Sequence, residues 1–245
     1  MEELGVGYGS YGWRLEIATS EGEMTESCMI LCREQCLRTL RAMENLATTL
    51  VSQGQWQNLR RLEEKKLEFL SGWVGERHSK TLATMEDLAT TYSVLGRSYE
   101  EERLRQRIIQ LRSTWLSEDH IDTIVATEAL ALFYWNRALW QEAGDLYLSA
   151  MEARSRTLGT EHVETLAVMA NLAATYCNQA RWDEAMVLES RVMETRSTVL
   201  GDGHPSTLIA MANLASTCRR SVKCQDSDVL WAKIKQIRLS AHSTP

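Results

Sequence analysis

The sequence predicts an all-α fold, an α-solenoid of helix-turn-helix repeats with a 42-residue period, and three observations carry that prediction. Residues 1–204 contain no proline, the only two being Pro205 and Pro245. A β-sandwich or barrel of 245 residues would need many turns, which draw on proline and glycine, and 13 glycines do not supply them alone. Leu, Ala, Glu, Arg and Met, all good helix formers, are abundant. The third observation is the period itself. Asn171-Leu172-Ala173 returns as Asn213-Leu214-Ala215, and backwards as Ala129-Leu130-Ala131, Asp87-Leu88-Ala89 and Asn45-Leu46-Ala47, so the leucine and alanine hold every time.

Other residues keep the same phase. Upstream of each triplet lies Thr39-Leu40, Thr81-Leu82, Thr123-Ile124, Thr165-Leu166 or Thr207-Leu208. His78, His120, His162 and His204 precede the later threonines, with Cys36 in the first repeat. Within one unit, Leu166, Met169, Leu172, Ala173 and Tyr176 are spaced by steps that put one stripe on a helix, here helix A. Gln179-Ala180-Arg181 interrupts, and Trp182, Ala185, Leu188, Val192 and Val199 form a second stripe, helix B. Gly201, like Gly159 and Gly75, suits a helix C′ position and starts the link to the next unit. Alanine in the triplet and at Ala143 and Ala185 lets the two helices approach closely.

The chain divides accordingly. Residues 1–35 form a leader and an unpaired B-type helix, read as Gly12 to Cys32 because Trp13, Ile17 and Cys32 fall near the phases of Trp182, Ala185 and Leu200. Repeats 1 to 4 are 36–77, 78–119, 120–161 and 162–203. Residues 204–245 are repeat 5 with a degenerate C-terminal helix, Ser227 standing for alanine and Lys235 for an apolar residue, and a tail. The array would hold five A helices and six B helices.

Leu-Ala-x-x-Tyr in helix A and Trp-x-Glu-Ala in helix B (Trp140 to Ala143, Trp182 to Ala185) resemble the tetratricopeptide repeat. The 42-residue period and the Leu-Gly-x-x-His-x-x-Thr-Leu link resemble its kinesin-light-chain type. The wording Met169 to Thr175 and Met211 to Thr217 is similar to fungal arrays that often end NLR-like signalling ATPases. The resemblance implies a right-handed solenoid. Ala138 and Ala180 stand where the family usually has the turn glycine, and Leu50 and Cys218 where it has tyrosine.

Net charge −6 argues against a chain whose main task is binding nucleic acid. The start of the chain has no basic region followed by an apolar stretch, and the longest uncharged run, Thr165 to Ala180, is broken by polar residues, so neither a secretory signal nor a membrane span is expected. Six cysteines at this density read as free thiols in a reducing compartment, the cytoplasm. Gly7 to Gly12 spells G-x-G-x-x-G, but only six residues precede it and no strand or P-loop lysine accompanies it, so no nucleotide is expected. Cys28, Cys32 and Cys36 would share a face on a continuous helix, but the interhelix link expected at Cys36 breaks that helix and leaves them as core thiols. The four histidines stand a full repeat, about 10 Å, apart, too far to share one metal, and are read as bonding backbone near each helix A start. No catalytic constellation appears, so neither enzyme activity nor any cofactor or metal is expected.

What remains is a surface. Helix A lines the concave side of a solenoid. The resemblance points to the second, fifth, sixth, ninth, twelfth and thirteenth positions of that helix, and gives the asparagine at the sixth a role in bonding the backbone of a bound peptide. An amide offers donor and acceptor together, so it can read an extended chain whatever its side chains. The candidate residues are Asn45, Glu86, Asp87, Glu128, Trp135, Asn136, Asn171, Asn178, Asn213, Arg219 and Arg220. Trp135 and Asn136 are expected to project from the middle, with the groove acidic over repeats 1 to 3 and basic at repeat 5. The expected function is a non-enzymatic scaffold for a protein or peptide, with self-association through the end helices. The alternatives are a sensor segment or fragment of an NLR-like nucleotide-dependent switch and a kinesin-light-chain-like cargo adaptor. The last needs a heptad coiled coil, and none precedes the repeats.

Overall fold

A computed structural model describes residues 26–221 and 224–241. Among the described residues the fold is all-α, a helical-repeat solenoid of ten helices: α1 (Glu26–Ser52), α2 (Trp56–Trp73), α3 (Ser79–Val94), α4 (Ser98–Trp115), α5 (Ile121–Trp135), α6 (Trp140–Thr157), α7 (Val163–Asn178), α8 (Trp182–Leu200), α9 (Pro205–Arg220) and α10 (Cys224–Ala241). Odd-numbered helices are A and even-numbered ones B. The chain forms two compact units that divide after Leu111, within α4.

The A helices from α3 onward begin the same way. His78, His120, His162 and His204 are N-caps, and each Nδ1 accepts from the backbone N–H two residues on, at 3.2, 3.2, 3.3 and 3.2 Å. That satisfies one donor the first helical turn leaves orphaned. Helices α1, α3, α5 and α7 each end in a turn held by Gly54, Gly96, Ala138 or Ala180 in the left-handed region, with φ between 58° and 69°. The backbone N–H after each of these residues donates to the carbonyl five residues back, as Arg97 does to Tyr92 and Arg181 to Tyr176, both at 2.9 Å.

The B-to-A link uses Gly75, Gly159 and Gly201 at φ 85° to 91°, and Ser117 at φ 106° in the same register. Across two of these links a buried threonine hydroxyl donates to the glycine carbonyl, Thr81 to Gly75 and Thr165 to Gly159, each at 2.8 Å. At the Ser117 link the buried hydroxyl of Thr123 has no partner among the described residues.

In the first unit α2 packs against α1 and α3 over a core that includes Leu40, Leu59, Leu70 and Leu82. In the second, α6 packs between α5 and α7, and α8 between α7 and α9. Its largest cluster joins Ile124 and Ala131 of α5, Tyr147 and Ala150 of α6, Leu172 and Ala173 of α7, and Ala185 of α8. Ala89, Ala131, Ala173 and Ala215 of the repeated pair are fully buried, as are Ala143 and Ala185. Close helix approach is what their size permits, and a larger side chain there would overpack the core.

The first repeat departs from expectation. Helix α1 is continuous through Cys32 and Cys36, so no link separates a B-type helix ending at Cys32 from helix A. The reason lies in the sequence: Arg33 and Cys36 occupy the registers of the link glycine and the capping histidine, and nothing from Glu26 to Ser52 is a glycine or proline. The break expected between Cys32 and Cys36 is thereby removed. The segments 1–25 and 242–245, including Gly7 to Gly12 and residues 12–25 of the expected helix, lie outside the described residues.

Candidate functional site

Burial divides the A helices from α3 onward into a core face and a solvent face. In α7 the exposed residues include Val163, Ala167, Asn171 and Asn178, steps that keep one face toward solvent. In α9 the same face carries Ile209, Asn213, Ser216 and Arg220, and in α5 Val125, Leu132 and Asn136. In the first unit it carries Ala83, Asp87, Thr90 and Val94 of α3 and Arg41, Asn45 and Thr48 of α1. The second, sixth, ninth and thirteenth positions of helix A are thus its solvent stripe. The fifth and twelfth flank it, and at the twelfth Cys177 turns into the core, where its Sγ lies 3.3 Å from Thr217 Oγ1.

Of the eleven candidate residues, Asn45, Asp87, Asn136, Asn171, Asn178, Asn213, Arg219 and Arg220 are exposed. Arg220 lays its guanidinium over the Trp182 ring, 4.5 Å from the centroid, a cation–π contact that orients it. Glu86 is half-buried. Two expectations are corrected. Trp135 does not project: its ring is half-buried, edge-on to Trp140 with centroids 5.5 Å apart, and packs against the core of α5 and α6. Glu128 does not present a bare charge: both its oxygens are bonded by Arg154 of α6, which is itself buried. The acidic character expected at repeat 3 is therefore neutralised from beneath, because a guanidinium matches a carboxylate at two points.

Arg154 belongs to a series the sequence reading missed. Arg112, Arg154 and Arg196 share one register of helix B, and each reaches the first turn of the following A helix. Arg112 Nη1 donates to the Asp122 carbonyl at 3.0 Å, Arg154 Nη1 to the Glu164 carboxylate, and Arg196 Nη1 to the Ser206 carbonyl at 3.3 Å. Burial holds the Arg196 guanidinium below its ordinary range. The signal was available, since a charged residue recurring at one phase of an otherwise variable helix asks for a fixed partner.

Also missed were two buried carboxyls, Glu63 of α2 and Glu189 of α8, which share another register. Each hydrogen-bonds a threonine of the next A helix, Thr91 and Thr217, and each keeps Oε2 without a partner among the described residues. Burial pushes the Glu63 carboxyl up to about 7 and raises that of Glu189.

Two open grooves run between successive B helices. One, of about 950 Å³, lies between α2 and α4 and includes Glu64, Leu67, Tyr92, Tyr99 and Arg103. Tyr92 Oη donates to Glu64 Oε1 at 2.9 Å, and burial together with that carboxylate pushes the phenol up to about 12. The other, of about 920 Å³, lies between α8 and α10 over Met186, Leu214 and Cys218. Neither includes a candidate residue. Among the described residues no group of three or more His, Cys, Asp or Glu is placed to hold a metal, and no helix is long and apolar enough to cross a membrane.

Capped A helices, left-handed A-to-B turns and a solvent stripe in constant register define a helical-repeat array. Residues 122–195 match the tetratricopeptide-repeat family model. The fold is shared with TPR-like repeats of the kinesin-light-chain type. A Podosopora anserina structure of nearly identical TPR-like repeats, described as a kinesin light chain, is 24% identical, with 84% of this chain and 98% of that one covered at a TM-score of 0.73. BtubC (BKLC) from P. vanneervenii is 16% identical, with 87% of this chain and 85% of that one covered at a TM-score of 0.69. No curated protein matches the sequence.

Proposed function

We propose that the chain is a non-enzymatic interaction scaffold, the usual task of tetratricopeptide folds, and that the solvent stripe of its A helices holds an extended segment of a partner protein. One observation carries the reading: in the second unit the stripe combines exposed apolar residues, Val125, Leu132 and Ile209, with the exposed amides of Asn136, Asn171, Asn178 and Asn213. Exposed aliphatic groups and amides in alternation suit an extended peptide, whose backbone the amides can pair while its apolar side chains leave water. Arg219 and Arg220 at the α9 end favour an acidic end on that peptide, since Glu128 is already compensated by Arg154. In the first unit Asn45 and Asp87 would offer an amide and a carboxylate to a basic group.

A displayed random-peptide library panned on the full chain, followed by titration of the best peptide, tests this. Selected peptides should be apolar with an acidic end. Changing Asn171→Ala and Asn213→Ala together should weaken binding at least tenfold with no loss of thermal stability, because both side chains are exposed. Unchanged affinity would sink the assignment. Cargo adaptor and segment of an NLR-like switch are the narrower readings the resemblance suggests, and a cytoplasmic setting fits all three.

A further inference from the structure

The groove between α2 and α4 lies wholly within the first unit and includes none of the solvent-stripe residues, so it is a surface of its own. Its floor is apolar. Leu88 of α3 is buried, and Leu67 of α2 and Leu104 of α4 flank it half-buried. Tyr99 of α4 stands at the wall, 72% exposed. The same register of α2, α6 and α8 holds Gln57, Gln141 and Asp183, all exposed and polar. A large ring left in water beside an apolar floor, at a register the array otherwise keeps polar, is what a docking surface presents.

Opposite charges line the two sides. Helix α2 contributes Glu64 and Glu68, and α4 contributes Glu100, Arg103 and Arg107. Three of these already have partners. Glu64 is bonded by Tyr92 and Arg60, Glu100 by Arg97 at 3.4 Å, and Arg107 pairs with Glu76 at 2.6 Å. Glu68 and Arg103 are exposed, and neither has an ion-pair or hydrogen-bond partner among the described residues. A ligand lying along the floor would therefore meet an unmatched negative charge on the α2 side and an unmatched positive charge on the α4 side.

We propose that this groove docks an amphipathic helix of a partner protein. Its apolar stripe lies over Leu67, Leu88 and Leu104 against Tyr99, with a basic residue on the edge toward Glu68 and an acidic residue on the edge toward Arg103. The floor selects a helix over an extended segment. Its three leucines sit inside α2, α3 and α4, whose backbone groups are bonded within their own helices, so an extended chain would find no backbone to pair with there. A helix arrives with its own backbone groups satisfied and needs only apolar contact. The exposed amides of the solvent stripe suit the opposite kind of ligand. Tyr99 and the leucines supply most of the attraction, and the two edge charges fix the direction in which the helix lies.

The test is a displayed library of helices of roughly 18 residues, with a fixed leucine stripe and randomised edges, panned on the full chain. Enriched helices should carry Lys or Arg on one edge and Asp or Glu on the other. They should bind the Tyr99→Glu and Arg103→Glu chains roughly tenfold more weakly or worse. Both variants should melt as the native chain does, because both side chains are exposed. The Arg103→Glu chain should bind again once the acidic edge of the helix is changed to lysine. The chain carrying Asn171→Ala and Asn213→Ala should bind as the native one does, which separates this groove from the stripe. No enrichment over a chain with Tyr99→Glu and Arg103→Glu combined overturns the proposal. So does a bound helix indifferent to both changes, or one lost to the Asn171 and Asn213 changes instead.

Discussion

Arg154 of α6 and Glu128 of α5 form a two-point ion pair, Nη2 to Oε2 at 3.2 Å with Nε bonded to Oε1, and the same guanidinium reaches Glu164 of α7. One buried cation therefore ties three consecutive helices. Removing one partner of a buried pair strands the other's charge and typically costs about 3–5 kcal/mol. Glu128 is partly exposed, so water can take over part of the loss. Arg154→Met should accordingly lower unfolding free energy in urea by about 3 kcal/mol, and Glu128→Gln by about 1 kcal/mol.

Protonation of Glu63 should make stability fall as pH rises. Its carboxyl stands at about 7 in the folded chain against an ordinary value of 4.5. Burial is the main cause, the hydrogen bond from Thr91 opposes it, Asp87 adds to it and Lys66 reduces it. The folded state thus binds more protons than the unfolded one between those values. The contribution is complete below about 4.5, is lost through about 7 and is flat above, on the order of 2–3 kcal/mol in all. Glu63→Gln cannot ionise, so its stability relative to the native chain should rise across that window. Urea titrations from pH 4 to pH 8.5 read the difference directly, and a pH-independent difference would contradict it.

Three residues pay for left-handed backbone that glycine would adopt without strain. Ala138 and Ala180 sit at φ 58° in the register of Gly54 and Gly96, and Ser117 at φ 106° in the register of Gly75 and Gly159. The left-handed conformation costs a side-chain-bearing residue roughly 1–2 kcal/mol, less the entropy glycine loses on folding. Ala138→Gly, Ala180→Gly and Ser117→Gly should therefore each stabilise the chain, by about 0.5–1 kcal/mol, against the usual trend for glycine substitutions. Thermal melts of the three single variants check the sign.

The histidine caps are separable by chemistry. His162→Ala removes the acceptor for the Glu164 N–H and should cost about 1 kcal/mol. His162→Asn keeps an acceptor at that position and should recover most of the loss. If the two variants melt alike, the ring matters for packing and not for its Nδ1.

Much of the fold was legible because each joint is signalled by a residue with one job. Histidine and threonine mark the A helix start, a left-handed residue marks each turn, and paired Leu-Ala marks the inner side. Where the signals are missing, as at Arg33 and Cys36, the joint is missing too, and a reading carried by the period alone put a break into α1. The stripe of Asn171 and Asn213 was equally legible, since residues three and four apart share a face. The fate of Trp135 and Glu128 was not, because that depends on what a neighbouring helix places beneath them. Periodicity gives the direction of a side chain but not its partner, which is also why the partners of Arg154, Glu63 and Glu189 were not legible.

The constant offset of caps and turns has one more consequence. A duplicate of residues 162–203 inserted after Leu200-Gly201-Asp202-Gly203 would present the next copy with a His162-type cap, a Gly201-type link and the same inner alanines that it meets now. Gain or loss of a whole unit leaves every cap, link residue and inner alanine in register. Such a chain can be lengthened or shortened by recombination in steps of one graduation, like a ruler, while a change of a few residues in either link would put every later marking out of place.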